Sequence, residues 1–386
     1  MNYKGKKVLL LDGFGRQIPS LMKQLHDLGC VITTMNASKL DVGCSSRYPK
    51  KKIVVPGIRE DVSAYRDAIY KELEADHYDI LFPVIEKSTD ICTDGVIEAK
   101  YPELKIVAAP RDAFLKAYNK QLTMCACMDN GVACPVTKRD EESLEDYLNK
   151  ISFPLAAKPR KGSGGAGFKK IHDRAELDKY LSDGTIKLDE YVLQEFIPQT
   201  EHMFNCYVMM DDNHEPVFAV PLETCRWFPI DGGAGCFGRT VDMPIIQQNA
   251  IKLLKALEWS GFGQVSFMMD PRDHTPKVGE INGRISAGVK IVDYAGCKPV
   301  KHLLDRLYGQ PLERVEKIPV GLGLRYFHTD IMWLIKSPNR FSAKPSWFDF
   351  RKSKDYIFSW ADPIPFFSYA IEHVLTYRED MAHRKH

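Results

Sequence analysis

The sequence lacks several features that would place it in a special class of protein. None of its ten cysteines forms a C-x-x-C pair, and scattered thiols favour a reducing cytoplasm over a disulfide scaffold or a zinc site. No apolar run approaches the roughly eighteen residues of a membrane span. The start, MNYKGKKVLLLDGFG, has a four-residue apolar run, which is too short for a signal peptide. We therefore expect a cytoplasmic protein with no membrane partner.

An excess of charge of one sign is also missing. Lys and Arg together number 53, Asp and Glu number 51, and the formal net charge is +2. Without a global basic field, nucleic acid is not expected as a partner. The length of 386 residues predicts two or three domains, and 44% hydrophobic with 27% charged residues is ordinary for a globular enzyme.

Strand and helix patterns alternate over the first 110 residues. Apolar runs such as KKVLLLD, CVITTMN and YDILFPVI are separated by helix-like segments, which predicts an open α/β domain with a mostly parallel sheet. A helix is expected over residues 17–28, ended by Gly29. The GFGRQI turn has Ile18 where a dinucleotide fingerprint needs a third glycine, and Asn36 rather than an acid ends the second strand. Nicotinamide binding is therefore not favoured.

The pattern changes after about residue 135. Segments such as MFNCYVMM, PVFAVPLET, GQVSFMMD and PKVGEING are typical of strands joined mostly by hairpins, hence antiparallel. The predicted fold class is α/β followed by α+β. Residues 321–386 form an extension rich in Trp and Phe, with an amphipathic helix in PFFSYAIEHVL that docks on the body or on a partner subunit. A homo-oligomer is compatible with this pattern.

One short segment, GEINGR, holds an acid, an amide and a cation at alternate positions. In an extended strand Glu280, Asn282 and Arg284 point to one face, while Ile281 points to an apolar layer. Two interpretations compete: a solvated edge strand of mixed charge, or a site where a hard metal ion and an anion meet.

A glycine-rich loop follows a lysine in AKPRKGSGGAGF. Lys158 ends a predicted strand, and Ser163 and the glycines at 162, 164, 165 and 167 follow. Glycines let successive N–H groups turn toward an anion, so we favour phosphate binding over a plain glycine-rich hairpin. The loop is not a P-loop, because no Gly-Lys-Ser/Thr closes it.

Two further segments offer binding groups. The QEFIP strand end can present its backbone to an adenine edge, with Glu195 taking the exocyclic amine and Glu201 the ribose hydroxyls. Arg226, beside a glycine-rich loop at 232–235, is a candidate anchor for a substrate carboxylate; a surface arginine is the alternative.

The order of these motifs resembles the ATP-grasp superfamily, in particular its carbamoyl-phosphate-synthase-like carboxylate–amine ligases. The resemblance covers residues 1 to about 310, through Lys120 in AYNKQLT, the glycine loop, QEFIPQTEH and MMDPRDHTPKVGEINGR. It implies a Rossmann-like N-terminal domain over residues 1–112, a helix and ATP-grasp lid over 113–193, an antiparallel-sheet domain with the metal site over 194–320, and the extension 321–386.

The resemblance also implies roles for single residues, with ATP and magnesium as cofactors and manganese as an alternative metal. Residues matching phosphate-binding positions are Lys120, Lys158, Ser163, Gly164, Gly165 and Gly167. Those matching adenosine-binding positions are Glu195, Phe196, Ile197, Glu201 and, under the adenine, Met268. Glu280 and Asn282 match magnesium ligands, and Arg284 matches the cation that holds the transferring phosphate or acyl phosphate.

The chain departs from the family pattern at two places. Gly283 stands where the family usually has proline, and Ser266 stands where it has an acid or Gln as first metal ligand. Asp270, four residues later, is the acid we consider as a substitute ligand. The predicted function is an ATP-dependent ligase that activates a small-molecule carboxylate as an acyl phosphate and joins it to an amine. The alternatives are an ATP-binding protein with reduced or lost catalysis, and a phosphoryl transferase.

Overall fold

The described residues fold into three sheets that follow one another in sequence. The computed structural model describes residues 1–383 apart from 163–166, 199–202 and 231–232, with side chains described up to residue 375. A five-stranded sheet comes first, a three-stranded sheet second and a seven-stranded sheet last. This mixture confirms the predicted fold class.

The first sheet is entirely parallel and has the strand order β3-β2-β1-β4-β5. Its strands are β1 (Lys7–Leu10), β2 (Val31–Asn36), β3 (Lys51–Val54), β4 (Ile80–Phe82) and β5 (Lys105–Ile106). Its helices are α1 (Ile18–Asp27), α2 (Val42–Ser45), α3 (Val62–Ala75), α4 (Glu86–Cys92) and α5 (Val96–Lys100). The helix predicted over 17–28 is α1, and Gly29 adopts a φ of +82° just after it, as a helix-ending glycine should.

Four helices and a small three-stranded sheet follow in the described chain. They are α6 (Arg111–Tyr118), α7 (Lys120–Asp129), α8 (Leu144–Leu148), β6 (Leu155–Pro159), β7 (Lys169–Ile171), α9 (Arg174–Ser182) and β8 (Tyr191–Glu195). The antiparallel order is β7-β6-β8, and a separate apolar core around Tyr147, Leu155 and Leu193 holds this unit together. The side chain of Asn119 accepts a hydrogen bond from the Gln121 amide, which starts α7 at Lys120.

The large sheet has the order β13-β12-β9-β10-β11-β14-β15. Its strands are β9 (Met203–Met210), β10 (Pro216–Phe228), β11 (Ala234–Thr240), β12 (Gly261–Met269), β13 (Pro276–Asn282), β14 (Gly323–Arg325) and β15 (Ser353–Asp355). Three helices lie between β11 and β14 in the described sequence, namely α10 (Pro244–Ala256), α11 (Val289–Tyr294) and α12 (Pro299–Leu307), and a fourth lies between β14 and β15. Among the described strands of this sheet, β14 and β15 pair in parallel and the others pair antiparallel. Because both strands lie in the predicted extension, the extension continues the sheet.

The described part of the extension also has two helices, of which the first packs against β10 and β11 of the large sheet and the second against α2 of the first domain. Its helices are α13 (Phe327–Lys336) and α14 (Ile364–His383). Ser368 on α14 donates a hydrogen bond to Ser45 on α2, 2.6 Å between the oxygens. The docking of this helix on the body is therefore observed, although it leaves Phe367, Ile371 and Val374 exposed. No helix in the described part of the chain is long and apolar enough to cross a membrane.

Candidate active site

The GEINGR segment covers the last residues of β13, which ends at Asn282, and continues into the loop with Arg284. Ser266 on β12 is opposite Glu280, and Gln264 is opposite Asn282. Val265 and Ile281, which alternate with them, are buried in the apolar core below. A register shift next to Ser266 leaves Gly279 as an extra residue on β13, a β-bulge of the kind found beside active sites.

The three polar side chains of the segment form a hydrogen-bonded row. Asn282 Nδ2 donates to Glu280 Oε1 at 3.4 Å, and Arg284 Nη2 donates to Asn282 Oδ1 at 3.1 Å. Arg284 Nε also lies 3.0 Å from Glu86 Oε1. The alternation predicted from the sequence thus brings the acid, the amide and the cation into contact.

Glu86, a residue that sequence reasoning missed, comes from the first domain. It begins α4, just beyond the end of β4. Asp12, in the loop after β1, accepts hydrogen bonds from the amides of Val84 and Ile85 at 3.0 and 3.2 Å. Asp12 therefore fixes the loop that leads to Glu86. The only signal available was an acid directly after an apolar strand, which is too common to single out.

Two lysines flank the same carboxylate. Burial lowers the pKa of Lys120, while the charges of Glu280 and Glu86 act in the opposite direction. Burial also lowers the pKa of Lys158, with Glu280 opposing the shift and Lys120 adding to it. Lys120 Nζ donates to the Gly162 carbonyl at 2.6 Å. Lys120, Glu280 and Asn282 line one small cavity, and the charge of Glu280 acts on both lysines, so the two ammonium groups are suited to receive a polyanion.

The glycine loop is described only at its two ends. Gly162 has a φ of +104° and Gly167 a φ of +74°, and a Cβ at Gly167 would lie 2.6 Å from Pro159 Cγ. A side chain at Gly167 is therefore excluded by both conformation and space. Ser163, Gly164 and Gly165, predicted to cover phosphates, and Glu201, predicted to bind ribose, lie outside the described residues.

The predicted adenine-binding residues lie at the end of β8 and on β12. Ile197 is buried, Phe196 is half-buried with Lys170 Nζ 4.5 Å from its ring centre, and Met268 shares the half-buried face of β12 with Ser266. These positions are compatible with an apolar base pocket, and the roles remain predictions.

The prediction that the Glu195 side chain binds the exocyclic amine of adenine requires a correction. Its carboxylate accepts a hydrogen bond from the Val136 amide at 3.2 Å and is ion-paired with Arg272 and with Lys277 at 3.2 Å. Since both oxygens are engaged, the side chain is not available for an exocyclic amine.

Asp270 is not placed as a metal ligand either. It is buried, and its carboxylate pairs with Arg272 at 2.5 Å and with Lys277 at 2.8 Å. The Arg272 hydrogen bond, followed by those of Lys277 and the Arg272 amide, holds the pKa of Asp270 well below its ordinary value. Asp270 therefore belongs to an ion-pair network with Glu195, at the end of β12 away from Ser266.

The prediction that Arg226 anchors a substrate is wrong for a similar reason. Arg226 is 2% exposed, and its Nε and Nη2 bind the two oxygens of Asp330 at 2.7 and 3.0 Å. Arg325 Nη1 lies 2.9 Å from the same carboxylate. Asp330 comes from the extension, which the sequence alone did not place against β10, so its pairing with Arg226 was not visible.

The residues beside Glu280 suit a hard cation. Glu280, Asn282 and Ser266 offer oxygen atoms, which magnesium prefers. Asn205 on β9, another residue missed from the sequence, accepts hydrogen bonds at Oδ1 from Ser266 Oγ at 2.9 Å and Gln264 Nε2 at 2.7 Å. No group of three His, Cys, Asp or Glu residues poised for a metal occurs among the described residues. A magnesium ion here would therefore depend on nucleotide phosphates for part of its coordination.

Comparison with known proteins identifies this arrangement. Residues 117–288 match the sequence profile of a family described as the ATP-grasp domain. Residues 117–288 therefore form an ATP-grasp domain. A curated D-alanine–D-alanine ligase of Thermoanaerobacter sp. is 25% identical over 301 residues, which span 71% of this chain and 82% of that ligase.

Solved structures confirm the ATP-grasp fold. A biotin carboxylase from Campylobacter jejuni has a TM-score of 0.67 at 17% identity, covering 82% of this chain and 74% of that protein. An L-amino acid ligase from Bacillus licheniformis has a TM-score of 0.59 at 19% identity, covering 80% and 75%. The predicted class of enzyme, an ATP-dependent ligase, agrees with the matched domain and with the ligases among these relatives, and ATP with magnesium is the expected cofactor pair.

Proposed function

We propose that this ATP-grasp enzyme joins a small-molecule carboxylate to an amine through an acyl phosphate. The observation that carries the proposal is the convergence of Lys120, Lys158, Glu280, Asn282 and Arg284 from three parts of the fold. Phosphoryl transfer to a carboxylate requires cations at the phosphates, oxygen ligands for a metal ion and a cation at the transferring group. The two lysines, the Glu280 and Asn282 pair, and Arg284 are suited to these three tasks.

Each group has a distinct role in this proposal. Lys120 and Lys158 bind phosphate oxygens, and Phe196, Ile197 and Met268 surround the base. The magnesium ion, held by Glu280 and Asn282, would offset negative charge on the phosphates. Arg284, oriented by Glu86 and Asn282, binds the phosphoryl group as it moves.

The reaction balances in two steps. A carboxylate oxygen of the acid attacks the γ-phosphorus, the bond to the bridging oxygen breaks, and ADP leaves. The amine nitrogen then attacks the acyl carbon, inorganic phosphate leaves, and the nitrogen loses a proton. Activation in this way divides one difficult condensation into two easier steps.

The test is product analysis with a panel of acids, each with and without amines. We expect ADP and phosphate in equal amounts only with a suitable acid, and a hydroxamate when hydroxylamine replaces the amine, because hydroxylamine captures acyl phosphates. A stable phosphorylated product without phosphate release would favour a phosphoryl transferase. Nucleotide binding without ADP formation on any acid would favour a binding protein.

The partners and location follow from this function. We infer that both substrates are small molecules, as the D-alanine–D-alanine ligase and L-amino acid ligase relatives suggest by name, and that the enzyme acts in the cytoplasm, where ATP is abundant. The predicted division of the chain at residues 112, 193 and 320 remains a proposal, to be tested by limited proteolysis.

A further inference from the structure

Arg16 has a different environment from the ion-paired arginines Arg226, Arg284 and Arg325. It lies in the loop between β1 and α1, and its guanidinium carbon is 4.7 Å from the ring centre of Tyr326 and 5.4 Å from that of Tyr356. Both tyrosines belong to the C-terminal extension. Arg16 is closely surrounded by protein and keeps partial exposure.

This guanidinium has no anionic partner among the described residues, whose ion pairs and hydrogen bonds do not include it. By contrast, Arg226 and Arg325 share Asp330, and Arg284 contacts Glu86. A desolvated guanidinium with only ring faces as neighbours keeps unused N–H donors, which is costly unless an anion binds them.

The aromatic residues around Arg16 add neutral donors. In the described part of the chain the hydroxyls of Tyr207 and Tyr356 have no hydrogen-bond partner, whereas the hydroxyl of Tyr326 donates to that of Tyr369 at 3.1 Å. Burial raises the pKa of Tyr207 and of Tyr356, so both hydroxyls keep their protons at neutral pH. A cation and two free hydroxyls are a suitable set for a carboxylate.

The cluster adjoins the Arg284 end of the active site. Tyr207 on β9 lies against Gly288, where a Cβ would come within 2.3 Å of the Tyr207 hydroxyl oxygen. Gly288 is four residues after Arg284, and the charges of both Arg16 and Arg284 act on Tyr207. Ser286, which lies between Arg284 and Gly288 in sequence, is buried with its hydroxyl unpaired. The polar groups thus continue from Arg284 toward Arg16.

We propose that Arg16 binds a second anionic group of a substrate, a carboxylate carried away from the reacting atoms. This inference rests on the proposed ligase function and narrows its substrate class. The anion belongs either to a dicarboxylic acid that is activated at its other end, or to an amino acid that supplies the amine. Arg16 is a specificity residue in this account, and Arg284 remains the group at the transferring phosphate.

The test uses malonate, glutarate and adipate as probes, with the corresponding neutral diamides as controls. Melting temperature is measured at constant ionic strength with a saturating non-hydrolysable ATP analogue and magnesium. We expect at least one dicarboxylate, and none of the diamides, to raise the melting temperature. Arg16→Met, which keeps the apolar stem, should weaken binding of that dicarboxylate at least tenfold, and Arg16→Lys should weaken its binding less.

Arg59→Met is the matched control, because Arg59 also lies over a ring, 4.9 Å from the centre of Phe14, but is exposed. It should behave as the unaltered protein. Glycine and β-alanine, which carry one carboxylate and an amine, distinguish a dicarboxylic acid substrate from an amino acid that supplies the amine. Binding of these two but not of the dicarboxylates assigns the anion to the amine substrate.

Three results would overturn the proposal: no stabilisation by any of these carboxylates, equal stabilisation by the diamides, or unchanged stabilisation in Arg16→Met. If Arg16→Met does not fold, the comparison of carboxylate with diamide and the Arg16→Lys variant still decide. Failure of the ATP analogue to bind would contradict the ligase function itself. Acid-dependent ADP formation that is the same in Arg16→Met as in the unaltered protein would contradict only this inference.

Discussion

Ser266 on β12 and Glu280 on β13 lie directly opposite each other on the half-buried face of the large sheet. In the ATP-grasp pattern both positions carry metal ligands, and here one of them is a hydroxyl bound to Asn205 at 2.9 Å. The charge available to magnesium is therefore lower than two acids would provide.

Restoring an acid at this position should strengthen metal binding. We expect Ser266→Glu to lower the magnesium concentration needed for half-maximal ATP-dependent phosphate release, because a charged ligand joins Glu280. Ser266→Ala is the control and should leave the metal dependence close to its original value. A folded Ser266→Glu protein with unchanged metal dependence would show that Ser266 is outside the coordination sphere.

Removing the charge of Glu280 should have the opposite effect. Loss of partners that only support metal ligands costs about 10- to 100-fold in affinity or activity, so Glu280→Gln should raise the magnesium requirement at least that much. Titration of activity with magnesium, and separately with manganese, measures the shift. An unchanged titration would support the alternative interpretation of GEINGR as a solvated edge strand of mixed charge.

Arg284 should matter for turnover more than for nucleotide binding. We expect Arg284→Ala to lower kcat by about 10²- to 10³-fold, the loss seen when one transition-state donor is removed, while the affinity for ATP changes little. Glu86→Gln should produce a smaller loss in the same direction, since Glu86 contacts Arg284 at 3.0 Å. Equal losses in kcat and ATP affinity would instead make Arg284 a ground-state phosphate ligand.

The lysine pair makes ATP binding dependent on pH. Burial lowers the pKa of Lys158 and of Lys120, so in the free protein these groups lose protons below the ordinary lysine pKa of about 10.4. Bound phosphate favours the charged form, and ATP binding in alkaline buffer should take up protons. Calorimetry in buffers of different ionisation enthalpy measures this uptake, which Lys158→Met should reduce.

The same shift affects stability, with a defined sign. A lysine whose pKa is lowered on folding binds fewer protons in the folded than in the unfolded state, so its contribution to stability rises with pH through the window between the two pKa values. For the ATP-binding experiment, the control for Lys158→Met is Lys179→Ala, at an exposed lysine on α9. This variant should leave ATP binding and proton uptake unchanged. The same result in both variants would remove Lys158 from the phosphate site.

Arg226 should be needed for stability rather than for substrate binding. Replacing Asp330 with Asn leaves two buried guanidinium groups without their carboxylate, and breaking a buried ion pair typically costs about 3–5 kcal/mol. Urea denaturation measures this loss. Arg239→Ala is the control, because Arg239 is 42% exposed and pairs with Glu223 at 2.9 Å; its effect should stay within about 1 kcal/mol.

Local patterns in the chain were sufficient for much of the architecture. Apolar runs separated by helical segments indicated the parallel sheet of the first domain, and hairpin-linked strands indicated the antiparallel sheet. Alternation in GEINGR placed three polar side chains on one face, which the contacts among Glu280, Asn282 and Arg284 match. Such features depend on residues close in sequence, whose spacing is set by strand and helix geometry.

Pairings between distant residues had to come from the three-dimensional fold. Arg226 meets Asp330 across 104 positions, Arg272 reaches Glu195 across 77, and Arg16 meets tyrosines of the extension. A charged side chain has the same appearance in a sequence whether it faces a substrate or a buried partner, because only the fold decides which opposite charge lies within reach. For that reason Arg226, Asp270 and Glu195 were assigned to ligands although each is engaged within the protein, while Arg16, Glu86 and Asn205 were passed over.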